Sequence, residues 1–464
     1  MALHTQALST EELPVSIHPQ FCRPGETGQV PRLDIPDGEM DPDTAYQIVH
    51  DELMLDGNAR LNLATFVTTW MEPQASLLMA EAADKNMIDK DEYPRTAEVE
   101  MRCVNMLSRL WNSPSHETAT GCSTTGSSEA CMLAGLALKW RWREHQKAAG
   151  KPTDRPNLVM GSTVQICWEK FARYWDVEMR LVPVSADATY LTPEGAVGAC
   201  DENTIGVVAI LGSTYDGVYE PVADIAAALD KLQEERGLDI PMHVDGASGG
   251  FVAPFIDPEL RWDFRVRRVQ SINTSGHKYG LVYPGVGWVV WRNPEALPEE
   301  LIFHVDYLGG DMPTFALNFS RPGAQVVSQY YNFLRLGRDG YARVQQTARD
   351  IARGLASDVA KLGVFELVSH GDNLPLFAFK LRDDIDSYTV YDISEDLRAN
   401  GWLVPAYRMP ENIRHMAVLR VVVRNGFSYD LGRLLLEDLD RVIQRLEKHG
   451  GTPVEEEKRT GFHH

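Results

Sequence analysis

The chain has 464 residues, 44% hydrophobic and 24% charged, an ordinary soluble-enzyme composition in a length that exceeds what one hydrophobic core usually organises. Its 45 Lys and Arg against 66 Asp and Glu leave a formal charge of −21, a sign that repels nucleic-acid phosphates and anionic lipid and excludes a phosphate-reading surface. No apolar run approaches the ~20 residues of a membrane span, and the opening stretch has Glu11 and Glu12 where the apolar part of a secretion signal would lie. The six cysteines (Cys22, Cys103, Cys122, Cys131, Cys167, Cys200) are scattered, with no CxxC pair and no clustered histidines. Such usage predicts reduced thiols in a cytoplasmic protein without a metal site.

In chain order, residues 1–58 are rich in Pro, Gly and acids, with an apolar helical stretch near Ala45–Leu55. They read as an arm that packs on another subunit, so a homo-oligomer is expected. From 59 to 345, short β-branched runs alternate with helical patterns. Asn157–Met160, Thr204–Leu211, Pro241–Val244, Val269–Ile272 and Gly287–Trp291 read as strands, and Glu129–Arg143 and Val222–Arg236 as helices. Alternation of this kind predicts a largely parallel sheet with helices on both faces, and a site beyond the carboxyl ends of its strands. Residues 346–449 restart with a helix at Asp350–Leu362. Strands at Leu376–Leu381 and His415–Val423 and a helix at Asp430–His449 follow, a smaller α+β domain. Residues 450–464 read as a mobile tail.

Three pieces carry chemistry. Thr125-Gly126-Ser127-Ser128-Glu129-Ala130 ends a polar loop and opens a helix, where free N–H groups and hydroxyls can cradle a phosphate. The same Ser-Ser-Glu is also an ordinary helix cap. His243-Val244-Asp245-Gly246-Ala247-Ser248 ends a strand at an Asp followed by small residues, where a flat ring can lie against backbone. A buried Asp there would keep a ring nitrogen protonated, although an isolated Asp more often caps a loop. Ser275-Gly276-His277-Lys278-Tyr279-Gly280 sets a lysine among small and aromatic residues beyond the next strand. Partial burial lowers an ammonium pKa and leaves an amine able to form an imine. A single lysine is usually a surface residue, but these three pieces in order are far more specific than any one.

With these residues in view, the chain resembles the glutamate decarboxylases of bacterial and plant type, in the aspartate-aminotransferase-like fold. The likeness runs from about Ala45 to Arg424. It includes Leu61–Phe66, Gly126–Trp142, Val164–Trp168, Phe171–Val177, His243–Phe255, Ser275–Trp291, the 306–310 stretch Asp-Tyr-Leu-Gly-Gly and Asn318–Pro322. It implies an α/β protein of PLP-dependent transferase fold type I: a large domain with a mostly parallel seven-stranded sheet and a small α+β C-terminal domain. The implied cofactor is pyridoxal 5'-phosphate. Lys278 would carry it as an imine, with Asp245 on the pyridine nitrogen, and Ser127, Ser128, Ser275 and His277 around the phosphate. Gln165 would cover one ring face, Ala247 the other, and Thr214 would lie near the ring substituents. Family members commonly have Ala at Gly246, which is expected to loosen the backbone slightly.

The resemblance further implies α-decarboxylation of L-glutamate to 4-aminobutanoate. The α-carboxylate would be held out of the ring plane, and Cα protonated by Lys278 or His277, between which the sequence does not choose. Arg420 would contact a substrate carboxylate, a structural ion pair being the alternative. Thr65, Phe66 and Asp89 would lie near the distal carboxylate, an arrangement that favours acid operation. Phe319 and Ser320 would reach the cofactor of a neighbouring subunit, in a homo-oligomer built on a dimer unit, a hexamer being one form. The ending Phe462-His463-His464 resembles the tail of some bacterial members, in which a penultimate histidine closes the site as pH rises, so His464 is a candidate closure residue beside the reading as a disordered tail. Nothing in the acidic tail resembles the Trp- and Lys-rich calmodulin-binding extension of plant relatives. Proton consumption suggests acid resistance in a bacterial host. Another decarboxylase of the same fold, an aminotransferase and a catalytically silent scaffold remain as alternatives.

Overall fold

The computed structural model describes residues 32–114, 119–305 and 312–451. Cys22, the 306–310 motif and His464 lie outside them. The chain divides into two compact units, Met1–Ala59 and Arg60–His464. In the first, helix α1 (Pro42–Leu53) is capped by Asp41, which accepts a bond from the Thr44 amide, with Pro42 at its first position. Its Tyr46, Val49 and Leu53 are exposed.

In the second unit, helices α2 (Pro73–Glu81) and α3 (Pro94–Leu110) precede a seven-stranded sheet. Its strands are β1 (Thr120–Thr124), β2 (Asn157–Gly161), β3 (Glu178–Val182), β4 (Thr204–Ile210), β5 (Met242–Asp245), β6 (Val269–Ser275) and β7 (Gly287–Trp291). Their order across the sheet is β1-β7-β6-β5-β4-β2-β3. Six strands run in one direction, and β7 alone is reversed, antiparallel to both β6 and β1. Helices α4 (Ser127–Ala148), α5 (Ile166–Tyr174), α6 (Pro193–Gly198), α7 (Val222–Arg236) and α8 (Ala253–Ile256) connect them.

Strands β2, β4 and β7 read as largely apolar runs because both faces are covered. Along β4, Val207 and Ala209 enter one core with Leu229 of α7, while Ile205, Val208 and Ile210 enter another with Leu138 of α4 and Phe171 of α5. Strand β2 alternates likewise, with Val159 in the first core and Leu158 and Met160 in the second. Each fully buried Val or Ile contributes roughly 1.5–3 kcal/mol relative to exposure.

A short hairpin, β8 (Phe303–Val305) with β9 (Met312–Thr314), leads to α9 (Ala324–Lys361), interrupted at Gly337, whose φ is +57°. The sequence places a helix only at Asp350–Leu362, because Gly337 and Gly340 break the apolar periodicity; the structure carries it through residue 345. A second sheet has the order β10-β11-β13-β12, all antiparallel: β10 (Phe365–Leu367), β11 (Leu376–Leu381), β12 (Ala406–Arg408) and β13 (Ala417–Val422). Its Phe377, Phe379, Leu419 and Val421 pack with α9, α10 (Val390–Ala399) and α11 (Tyr429–His449) in a separate core.

Candidate active site

Strands β4, β5 and β6 end side by side at Ile210, Asp245 and Ser275, and the N-terminus of α4 follows β1 at the same edge of the sheet. A cavity of about 380 Å³ opens there, lined by Ser127, Ser128, Gln165, Thr214, Asp245, Ala247, His277 and Lys278 among others. Eight residues chosen from separate stretches of sequence thus meet in one space.

The start of α4 is not capped by a side chain: Gly126, extended at φ 168° and ψ 171°, precedes it without a side-chain bond. The ordinary-cap reading of Ser-Ser-Glu is therefore corrected. Glu129, buried in the first turn, instead turns back. Its Oε2 accepts from the Thr125 amide at 2.8 Å and hydroxyl at 2.9 Å, and its Oε1 from the amides of Leu317 at 3.0 Å and Asn318 at 3.3 Å. The amides of the first turn are therefore left able to receive an anion, as the helix dipole favours. Gly287 on β7 makes this approach possible, since a Cβ there would lie 2.4 Å from the Gly126 carbonyl carbon.

Asp245 closes β5, only 4% exposed. Its Oδ2 accepts from Trp168 Nε1 at 2.9 Å and from Cys131 Sγ at 3.6 Å; its Oδ1 accepts from the Ala247 amide at 3.1 Å and Asn273 Nδ2 at 3.2 Å. The sulfurs of Cys131 and Cys167 and a carboxylate oxygen of Asp245 lie within 4.8 Å of one another, a convergence that cysteine spacing did not reveal. Burial pushes the Cys131 thiol well above the ordinary thiol range, so it behaves as a neutral donor.

Lys278 stands in a tight loop after β6. Burial lowers the pKa of its amine, against the opposing pull of Asp245. The loop is held from both sides. Thr68 donates its amide to the His277 carbonyl at 2.7 Å and its hydroxyl to the Lys278 carbonyl at 2.6 Å. From α9, Gln345 donates to the Tyr279 carbonyl (2.8 Å), Tyr341 to that of Gly280 (2.9 Å) and Asn332 to that of Leu281 (2.7 Å). Leu281 is left in the left-handed region at φ +64°, a conformation that costs a branched residue roughly 1–2 kcal/mol and that these bonds impose. The buried polar side chains of α9 were not foreseen; only their spacing within an apolar helix marks them.

His277 sits against the cradle, with Gly126 close enough that a Cβ there would lie 3.1 Å from its Cε1. Its Nδ1 donates to the Val286 carbonyl at 2.9 Å, and burial, then the Lys278 charge, lowers its pKa to about 4. Ser275, at the end of β6, is not among the residues lining the cavity, and its buried hydroxyl has no partner among the described residues; nor have those of Thr163 and Ser248, which do line it. Orphaned buried hydroxyls signal a missing polar guest. Together with the open helix start, the buried amine and the carboxylate, they fit pyridoxal phosphate, whose phosphate Ser127, Ser128 and His277 could hold and whose ring nitrogen Asp245 could meet. Gly246 is a close approach, since a Cβ would lie 2.9 Å from the Asn273 carbonyl oxygen.

The expected substrate residues are less closely gathered. Phe66 is buried, with Lys278 Nζ 5.3 Å and the Arg420 guanidinium 4.8 Å from its ring centre. Arg420 on β13 donates to the Thr214 carbonyl and, at 2.7 Å, to that of Ala64; its Nε is buried without a partner among the described residues. Its head forms no ion pair among the described residues and meets backbone carbonyls instead. Thr65 accepts from the Val67 amide at 3.0 Å. Half-buried Asp89 is not among the residues lining the cavity. Phe319 is 44% exposed, and Ser320 accepts a bond from Asn86 at 3.2 Å.

A buried lysine amine and a buried carboxylate across one cavity at the carboxyl edge of this sheet define a pyridoxal-phosphate enzyme. The profile of the pyridoxal-dependent decarboxylase conserved domain matches residues 36–382. Glutamate decarboxylase of Aliivibrio fischeri is 55% identical over 438 residues, 94% of each chain, and that of Petunia hybrida is 52% identical over 93% of this chain and 87% of its own. The solved Lactobacillus brevis glutamate decarboxylase superposes with a TM-score of 0.90 at 46% identity, covering 94% of this chain and 99% of that one. Tryptophan decarboxylase of Catharanthus roseus, at 17% identity and a TM-score of 0.76, shares the fold. The chain belongs to the pyridoxal-dependent decarboxylases, and within them to the glutamate decarboxylases.

Proposed function

We propose that the chain catalyses the pyridoxal-phosphate-dependent α-decarboxylation of L-glutamate to 4-aminobutanoate and CO2, with uptake of a proton. The observation that carries this reading is 55% identity to the Aliivibrio fischeri enzyme over 94% of both chains. When bound, the cofactor supplies a protonated pyridine that accepts electron density from the substrate's Cα as carboxylate leaves. The chain's residues do the rest. Asp245 keeps the ring nitrogen protonated; Ser127, Ser128, Ser275 and His277 hold the phosphate; Gln165 and Ala247 confine the ring, with Thr214 beside it. Arg420 orients a substrate carboxylate, with Thr65, Phe66 and Asp89 on the distal group. A proton reaches Cα from Lys278 or His277. Phe66 packs beside the Lys278 amine and Trp168 bonds Asp245, and this burial strengthens each electrostatic contact.

The same reading takes the 59–345 and 346–449 regions as large and small domains, residues 1–58 as an oligomerisation arm, and the protein as a cytoplasmic homo-oligomer serving acid resistance. Exposed Tyr46, Val49 and Leu53 on α1 and exposed Phe319 support association with further copies of the chain. None of the described helices is long and apolar enough to cross a membrane. His464 is kept as the candidate pH-dependent closure residue.

The test is CO2 release from a panel of amino acids, with an added keto acid in parallel. Glutamate alone should be consumed, and no amino group should reach the keto acid. Comparable kcat/KM on an aromatic amino acid would assign the chain to another decarboxylase of this fold.

A further inference from the structure

Strands β5 and β6 pair in parallel register with His243 opposite Ser271 and Asp245 opposite Asn273. Side chains alternate faces along a strand, so His243 and Asp245 share one face, and Ser271, Asn273 and Ser275 share the matching face of β6. A polar stripe of this kind in a strand buried on both sides is costly unless every member is bonded. Here the members bond to one another: His243 Nδ1 with Ser271 Oγ at 2.8 Å, His243 Nε2 with Asn273 Oδ1 at 2.8 Å, and Asn273 Nδ2 with Asp245 Oδ1 at 3.2 Å. Relative exposure is 0% for His243 and Asn273 and 1% for Ser271.

Chemistry fixes the direction of each bond. A carboxylate only accepts, so the Asn273 amide must turn its NH2 to Asp245 and its oxygen to His243. That oxygen needs a donor, so the imidazole hydrogen sits on Nε2. Nδ1 is then the acceptor for the Ser271 hydroxyl. The chain of donors runs Ser271, His243, Asn273, Asp245. Only Asp245 of the four lines the cavity.

We infer that Asn273 and His243 are positioning residues, which through this directed chain hold the Asp245 carboxylate in the orientation that meets the cofactor's ring nitrogen. The inference rests on the proposed function above. It also explains why an imidazole is used there. Burial lowers the His243 pKa to about 4, so the ring is uncharged through the acid-to-neutral range. A neutral dipole aims the carboxylate without cancelling its charge, which stays available to the pyridine. An imidazolium at the same place would compete for that charge.

The test compares His243→Phe, which keeps a flat ring and removes both bonds, with His243→Gln, which keeps a donor near the Nε2 position, and with Asn273→Leu. Pyridoxal phosphate affinity is measured by dialysis and cofactor fluorescence, and the cofactor absorbance of the holoenzyme is titrated with pH. His243→Phe and Asn273→Leu are expected to weaken cofactor binding about tenfold and to lower kcat by a similar factor, with KM for glutamate within about twofold. Their absorbance titrations should shift, and His243→Gln should recover most of the loss. If a variant fails to fold by circular dichroism, Ser271→Ala, which removes one hydroxyl at the far end, is expected to give a smaller shift of the same kind. Wild-type affinity, kcat and titration in the folded variants would overturn the inference. Wild-type protein that takes up no pyridoxal phosphate would instead overturn the functional reading itself.

Discussion

The Lys278 amine lies 5.3 Å from the centre of the Phe66 ring. One aromatic face therefore screens the amine from water while offering its π electrons to whatever positive charge remains. Burial dominates, and the amine gives up its proton more readily than a solvated lysine does. Lys278→Ala is expected to abolish borohydride-stable attachment of pyridoxal phosphate and to lower kcat by at least about a thousandfold. Mass spectrometry of the reduced, digested protein checks this. Label on a different lysine would refute the assignment.

Phe66 serves Arg420 as well, whose guanidinium stacks 4.8 Å from the ring centre and 5.5 Å from that of Tyr407. Planarity makes both stacking and a two-point grip on a carboxylate possible, and a lysine ammonium offers neither. Arg420→Lys is expected to raise KM for glutamate about tenfold to a hundredfold, with cofactor absorbance intact. An unchanged KM would confine Arg420 to its bonds with Ala64 and Thr214.

Much of this architecture was legible in the sequence, for physical reasons that differ by element. Strands β2, β4 and β7 announce themselves because burial on two faces demands largely apolar runs. Strand β1, Thr-Gly-Cys-Ser-Thr, does not, being short and polar; nor does β3, an edge strand with Glu178 and Leu181 exposed. Lys278 and Asp245 could be named from their motifs. The partners that tune Asp245 could not, because Trp168, Cys131 and Asn273 reach it only through the register of β5 with β6 and the docking of α4 and α5. Likewise Gln345 and Asn332 read as helix residues until the Lys278 loop is seen to rest on them.

Glu220, 3% exposed, accepts from the Leu191 amide at 2.9 Å and the Ile210 amide at 2.6 Å, joining two loops at the end of β4. Burial still wins over those two bonds and raises its pKa to about 7 from an ordinary 4.5. A carboxyl raised in the folded state binds its proton more tightly there than in the unfolded chain. Its contribution is therefore full below about pH 4.5 and is lost as pH climbs through 7, a swing on the order of 3 kcal/mol. Glu220→Gln, which imitates the protonated acid, should flatten the dependence of Tm on pH between 5 and 8. A slope equal to wild type would show that other groups govern it.

Glu129 binds two segments at once, taking the Thr125 amide and hydroxyl on one oxygen and the amides of Leu317 and Asn318 on the other. All four are donors, so both oxygens must accept. Glu129→Gln puts an NH2 against one pair of them and leaves those donors buried and unmatched, at a cost of about 1–3 kcal/mol. The damage falls on the loop that carries Ser127 and Ser128 and on the segment leading to Phe319, not on the amine or the carboxylate of the site. Cofactor release on dialysis should accelerate about tenfold, while borohydride still fixes pyridoxal phosphate to Lys278. Retention at the wild-type rate would mean that the cradle keeps its shape without this clamp, and that the cofactor is held by Asp245 and Lys278 alone.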